Sequence, residues 1–193
     1  MTHLYITAPQ PDDVHELLAF EQENRVFFET SINARPATFY CAEGVAEAIA
    51  QARQDAEADR GYQFLIRENS QLVGRINLHR VQRAYFNCAE LGYRVGARFN
   101  GRGIAKAAVE QVLQRAFGEL QLSRIEANAR PENLGSVRVL EASGFSCYGR
   151  SRRSFLLHGQ WFDRLHYECH GPLQHSNPAR LLGQADAKLE PSA

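Results

Sequence analysis

The chain lacks several features that would settle its class at once. No apolar run approaches the roughly 20 residues that cross a bilayer as a helix, so no helical membrane span is expected. Met1 to Thr7 have neither the basic head nor the apolar core of a secretory leader. They read as a first β-strand, and the chain is expected in the cytoplasm. Cysteine is sparse and scattered: Cys41, Cys88, Cys147 and Cys169 form no C-x-x-C pair. A disulfide framework is thereby excluded, and reduced thiols are expected. His166 and His170 are four apart, but they sit in a strand pattern without the glutamate of a helical zinc motif, so no metal site is expected. Net charge is also absent, since 22 Lys/Arg offset 22 Asp/Glu. Bulk attraction to nucleic acid has no support. There are no repeats and no low-complexity tracts.

What is present fits one cored domain: 193 residues, 44% hydrophobic and 23% charged. Charge is divided unevenly. Residues 1–96 carry 9 Lys/Arg and 13 Asp/Glu, and the remainder carries 13 and 9. The basic half holds the most informative stretch, Asn100-Gly101-Arg102-Gly103-Ile104-Ala105. A strand-like run, Ala89 to Val95, precedes it, and an apolar helical stripe of Ile104, Ala105, Ala108, Val109, Val112, Leu113 and Ala116 follows. A helix that starts abruptly after a strand presents unpaired N–H groups and a positive dipole end, which is a site for phosphate. Arg98 and Arg102 add positive charge. A Walker loop is excluded because Lys106 lies between Ala105 and Ala107, and a dinucleotide fingerprint lacks its third glycine. An ordinary strand-to-helix turn remains the alternative at this point.

Along the chain, Leu4-Tyr5-Ile6 reads as a strand and Val14 to Asn24 as a helix opened by Pro9 to Asp13. Residues 26–40 are aromatic, interrupted by Pro36, and expected as an irregular structured loop. Alanine-rich Glu43 to Asp59 favours helix. Tyr62 to Arg67 and Gln71 to Leu78 flank a short turn, and Phe86 to Val95 completes a meander. Arg124 to Ala129 is a further strand and Ser136 to Ala142 a short helix stopped at Gly144. Phe145 to Gly149 and Trp161 to Tyr167 read as a closing hairpin with its tip at His158-Gly159-Gln160. Residues 171–193 turn polar and proline-rich. They are expected as a partly disordered tail, with a short helix near 178–182, behind a domain of residues 1–170. The order argues for a mixed α/β sheet.

The stretch Arg98-x-x-Gly101-x-Gly103-x-Ala105 resembles the acetyl-CoA pyrophosphate loop of the GNAT N-acetyltransferases. Arg124-Ile125-Glu126-Ala127-Asn128, Pro131-Glu132-Asn133-x-x-Ser136-x-Arg138-Val139-Leu140-Glu141-x-x-Gly144-Phe145, and Gly159-Gln160-Trp161-Phe162-Asp163 are similar to segments of the ribosomal-protein alanine N-acetyltransferases, the RimJ/RimL type. So is Phe20-Glu21-x-x-Asn24-Arg25-x-Phe27-Phe28-Glu29. The resemblance runs from Leu4 to Glu168.

It implies a GNAT-type α/β (α+β) fold: a mixed, mostly antiparallel twisted sheet of about seven strands, flanked by helices, with a V-shaped splay between central strands. It implies acetyl-CoA as donor substrate, with backbone groups of Asn100, Gly101, Arg102, Gly103, Ile104 and Ala105 and the charge of Arg98 holding the pyrophosphate. The pantetheine arm would run along Leu91, Tyr93 and Val95 towards Asn133 and Ser136. Glu90 is the candidate base for the attacking amine, ahead of Glu126, because an α-amino group with a pKa near ~8 is mostly protonated at neutral pH. A structural pairing with Arg94 or a neighbouring strand is the competing role for Glu90, and a structural role is favoured for Glu126. Many relatives place a tyrosine acid where this chain has Leu140; Ser136 takes the role beside the cofactor sulfur instead. A helix cap is the competing role for both Ser136 and Asn133. Asn77, Asn128 and Tyr85 are candidate lining residues, and Phe27, Phe28 and Trp161 shape the acceptor groove. Asp163 is read first as a surface ion pair, and Cys147 has no role in direct transfer. The acceptor is expected to be a primary amine, a protein N-terminus of the ribosomal-protein type. Small amines, aminoacyl compounds, and a non-catalytic acyl-CoA sensor are the rivals. No metal, membrane or direct nucleic-acid partner is expected.

Overall fold

The structure, a computed structural model, describes residues 3–172; the tail expected beyond them, with its helix near 178–182, lies outside the described residues. Seven strands form one sheet in the order β1-β2-β3-β4-β5-β7-β6. They are β1 (Leu4–Thr7), β2 (Tyr62–Glu68), β3 (Gln71–Gln82), β4 (Cys88–Val95), β5 (Arg124–Ala129), β6 (Ser146–Leu157) and β7 (Gln160–His170). All neighbours are antiparallel except β4 and β5, which run parallel. Among the described residues four α-helices flank the sheet: α1 (Val14–Glu29), α2 (Ala42–Glu57), α3 (Ile104–Phe117) and α4 (Leu134–Ala142). Among the described residues no helix is long and apolar enough to cross a membrane.

Alternation along the strands divides the interior into two layers. Phe64 and Ile66 of β2, Ile76 of β3, Leu91 and Val95 of β4 and Ile125 of β5 pack beneath Ile104, Ala108, Val109 and Val112 of α3 and Leu140 of α4. On the other face Leu65 and Leu72 meet Leu17, Phe20 and Phe28 of α1 and Val45 and Ile49 of α2.

Several elements are longer than the sequence pattern indicates, β3 among them, which runs on to Gln82. Helix α1 continues through Val26 to Glu29, a segment expected to be irregular. Its buried stripe is Leu17, Phe20, Glu21, Asn24 and Phe28, and two polar members hide the period. Asn24 repays its burial: its amide donates to Phe20 O (2.9 Å) and its oxygen accepts from Ala97 N (2.8 Å), tying α1 to the turn after β4. Strands β6 and β7 extend well beyond the expected hairpin arms. Register shifts between Cys147/Gly149 and Ser151/Phe155 break the two-residue alternation that would have revealed them. The third meander strand starts at Cys88 rather than Phe86, because residues 83–87 turn back, with Phe86 N donating to Arg83 O.

Candidate active site

The parallel pairing of β4 with β5 begins at Cys88/Arg124 and ends at Leu91/Ala127. Strand β4 nevertheless continues to Val95, paired with β3 alone through Gly74↔Val95. The strands therefore part just past Glu90 and Leu91, and the edge of β4 from Gly92 to Val95 is left without a ladder. This is the expected V. Tyr93 spans it: its hydroxyl lies 2.9 Å from Ser136 Oγ and 3.2 Å from Ser136 O. Burial pushes the Tyr93 phenol up to about 12, against the Ser136 hydrogen bond, so it is a neutral donor across the neutral range.

The glycine loop lies at the open end of the V. Gly101 and Gly103 both adopt left-handed φ (76° and 77°), and a Cβ on either would meet nothing within 4 Å. Both therefore face open space, at a turn whose dihedrals disfavour side chains. The first bond of α3 runs from Ala107 N to Gly103 O. Helix geometry thus leaves the N–H groups of Ile104, Ala105 and Lys106 free to donate to an anion. The donor set fits a pyrophosphate. Side chains contribute less than their charge implies, because Arg102 is held by Glu68 (2.8 and 3.0 Å) and Arg98 lies 3.4 Å from Glu23. Asn100 braces the turn through Gly96 O and Ala97 O, while the Ile104 side chain is core.

At the start of α4, Asn133 is the N-cap, accepting from Ser136 N at 3.1 Å. Ser136 sits in the first turn without capping it, and its hydroxyl is free for Tyr93. Leu140 is 1% exposed, so no acid occupies that place.

On the opposite face of the sheet, Glu90 stands where β4 and β5 are still paired. It accepts from the Asn128 amide, lies 3.1 Å from Arg80 and 3.4 Å from His79 Nε2. The Asn77 amide meets His79 Nδ1 at 3.1 Å, which turns the Nε2–H towards Glu90. Arg80 reaches Glu90 because β3 bulges between His79 and Gln82, with Arg80 itself at φ 53°. The His79 hydrogen bond holds the Glu90 carboxyl below its usual range, overcoming burial, with the charges of Arg80 and Arg164 adding. Glu126 is the register partner of Glu90, but Arg124 binds it at 2.6 Å.

On this face the end of α1 is tied to the hairpin and to the connection after β5: His158 Nε2 donates to Glu29 O (2.7 Å), Asn33 to Leu156 O (3.1 Å) and Arg130 to Thr30 O (3.1 Å). Of the residues expected to line the groove, Asn77 and Asn128 reach Glu90 or its partner. Tyr85 is 99% exposed and lines nothing. Asp163 is spent on Arg150 (2.6 Å) and Arg153 N (2.8 Å). His79 and the Tyr93 hydroxyl went unnoticed in the sequence; the one signal available was their placement at i and i+2 from Asn77 and Leu91.

Comparison with known proteins agrees with this geometry. The profile of the acetyltransferase (GNAT) domain matches residues 3–146. A probable N-acetyltransferase of Bacillus subtilis, YjcK, is 36% identical over 162 residues, covering 83% of this chain and 90% of its own. The alanine N-acetyltransferase of ribosomal protein uS5 from Escherichia coli is 29% identical over about half of each chain (51% and 50%). Mycobacterium smegmatis RimJ in complex with a CoA disulfide superposes with a TM-score of 0.81 at 25% identity, over 86% of this chain and 81% of that one. The chain therefore belongs to the GNAT acetyltransferase family and is an N-acetyltransferase that takes its acetyl group from acetyl-CoA.

Proposed function

We propose that the enzyme transfers acetyl directly to the α-amino group of a protein N-terminus of the ribosomal-protein type, met in the cytoplasm. The observation that carries this reading is an ionised Glu90, hydrogen-bonded by His79, at the apex of the V and on the sheet face to which α1 and the hairpin tip are tied. The relationship to the uS5-alanine enzyme supports the acceptor class.

Acetyl-CoA supplies an activated thioester. The N–H groups from Asn100 to Ala105 and the charge of Arg98 hold its pyrophosphate, and the open edge of β4 from Leu91 through Tyr93 to Val95 pairs with its pantetheine arm. Backbone donors near Leu91 to Tyr93 polarise the thioester carbonyl. Glu90 takes the proton that the amine loses, directly or through a water. Ser136, backed by the Tyr93 hydroxyl, delivers a proton to the departing sulfur. Asn133 holds the first turn of α4 in place and offers its amide N–H to the pantetheine.

Thiol release in the presence of acetyl-CoA and peptides with free or blocked N-termini tests the acceptor. Release with free N-termini alone is expected. Release only with small amines would move the acceptor to that class. Because Leu140 leaves the usual acid position apolar, CoA binding without release from any acceptor would identify a sensor.

Glu90→Gln is expected to lower turnover roughly 100-fold at pH 7. Since the folded carboxyl titrates below its ordinary value of 4.5, Glu90 is ionised throughout the neutral range. The profile there follows the amine, and the deficit should narrow above about pH 8 as the amine deprotonates unaided. Parallel wild-type and variant profiles would return Glu90 to a structural role.

A further inference from the structure

Charge does not balance on the acceptor side of the sheet. Arg75, Arg94 and Arg35 gather around Glu21, the one carboxylate paired with any of them among the described residues. Arg75, 6% exposed, donates to Glu21 and to Gln63 Oε1 (2.6 Å). Arg94 lies 3.4 Å from the other Glu21 oxygen, with its guanidinium 5.3 Å from the centre of the Phe28 ring. Half-buried Arg35, on the connection between α1 and α2, stacks over Phe39 at 4.1 Å and has no hydrogen-bond acceptor among the described residues. One carboxylate thus faces three guanidinium groups. Burial, with Arg75 adding and Glu21 opposing, lowers Arg35; burial, opposed by Glu21 and reinforced by Arg35 and Arg75, brings Arg94 to about 10. Both remain cations at neutral pH. Two uncompensated cations withdrawn from water are unfavourable unless an anion joins them.

The cluster is placed where an acceptor would find it. Arg94, Gly92 and Glu90 alternate onto one face of β4; along the strand Arg94 stands about 6.6 Å from Gly92, beside which the thioester carbonyl is polarised, and about 13 Å from Glu90. Arg35 belongs to the connection that Asn33 ties to the hairpin at Leu156. Guanidinium groups bind carboxylate and phosphate oxygens in pairs.

We propose that Arg35 and Arg94 form an anion subsite of the acceptor groove, so that the acceptor is an amine carrying a carboxylate or phosphate about one residue away from the reacting nitrogen. This rests on the reading of the apex beside Glu90 and Gly92 as the point of transfer. An acidic side chain at the second position of a peptide meets the spacing. The carboxylate of a free amino acid, two bonds from its amine, falls short of it.

The test compares tripeptide amides in pairs, the isosteric Ala-Asp-Ala and Ala-Asn-Ala, and Ala-phosphoserine-Ala against Ala-Ser-Ala. Each is titrated calorimetrically into the CoA-loaded enzyme and assayed with acetyl-CoA for thiol release. Binding at least about tenfold tighter for an anionic member is expected, and the two pairs separate carboxylate from phosphate as its source. Arg35→Met, which keeps the stem over Phe39, should bring the ratio towards one. The wild-type comparison decides the question even if that variant folds poorly. Equal affinity within both pairs, or no binding of any peptide, would overturn the subsite. Anion-selective binding without thiol release would support the subsite while refuting transfer to peptides.

Discussion

Gly103→Glu is expected to abolish CoA binding while leaving the fold intact. The residue adopts φ 77° and ψ 0° as the N-cap of α3, and a Cβ there meets no neighbour within 4 Å. A side chain in this left-handed conformation costs about 1–2 kcal/mol. The larger effect is electrostatic. A carboxylate roughly 4 Å from a phosphate charge, at an effective dielectric constant of about 20, is unfavourable by about 4 kcal/mol. The repulsion alone weakens affinity by roughly a thousandfold, whereas the conformational cost is shared by free and bound enzyme and lowers stability instead. Gly103→Ala isolates that conformational part and should melt lower while keeping CoA affinity within about tenfold. Calorimetric titration with CoA measures both, and the melting temperature without CoA reports the fold. An affinity retained in the glutamate variant would remove the loop from the binding site.

Glu21→Ala is expected to be the most destabilising single change in the chain's interior. Glu21 is 1% exposed and pairs with Arg75 and Arg94. Its removal leaves both guanidinium groups buried without a counter-charge, a loss of about 3–5 kcal/mol. For a chain of this length that corresponds to a melting temperature lower by roughly 6–20 °C. The pH dependence has a definite sign. Burial pushes the Glu21 carboxyl up, but Arg94, Arg75 and Arg35 together overcome it and hold the group below 4.5. Its folded value is therefore below its unfolded one, so its stabilisation is complete above about pH 4.5 and is lost as pH falls through the lowered value. Glu21→Ala should flatten that acid limb. Thermal melts of both proteins from pH 3 to 7 provide the check, and a variant that melts like the wild type would show that the arginines need no internal partner.

Most of the scaffold could be read from local pattern. The turn at Asn69-Ser70, the stripe from Ile104 to Ala116, the Asn133 cap and the β5 strand all follow from residue spacing and turn chemistry, and each forms as expected. Helix α1 was truncated in that reading because Glu21 and Asn24 occupy core positions that the apolar period should fill. Those same polar residues organise the site: Asn24 secures the turn before the glycine loop and Glu21 collects the arginines. The departures from pattern thus fall at the candidate site, as expected where stability is traded for chemistry. The closing hairpin was shortened for a different reason, since bulges interrupt alternation without any unusual residue to mark them.

By itself, the sequence determined the strand–loop–helix unit, the two glycines that its turn requires and the collinear motifs that identify the family. These rest on spacings of two to four residues and on backbone preferences, which act locally. Only the tertiary structure decided where β4 parts from β5, that Tyr93 reaches Ser136, that His79 faces Glu90, and that three arginines converge on one glutamate. Those contacts join residues up to 73 positions apart. They depend on strand register and on which helix covers which face, and no local period encodes either.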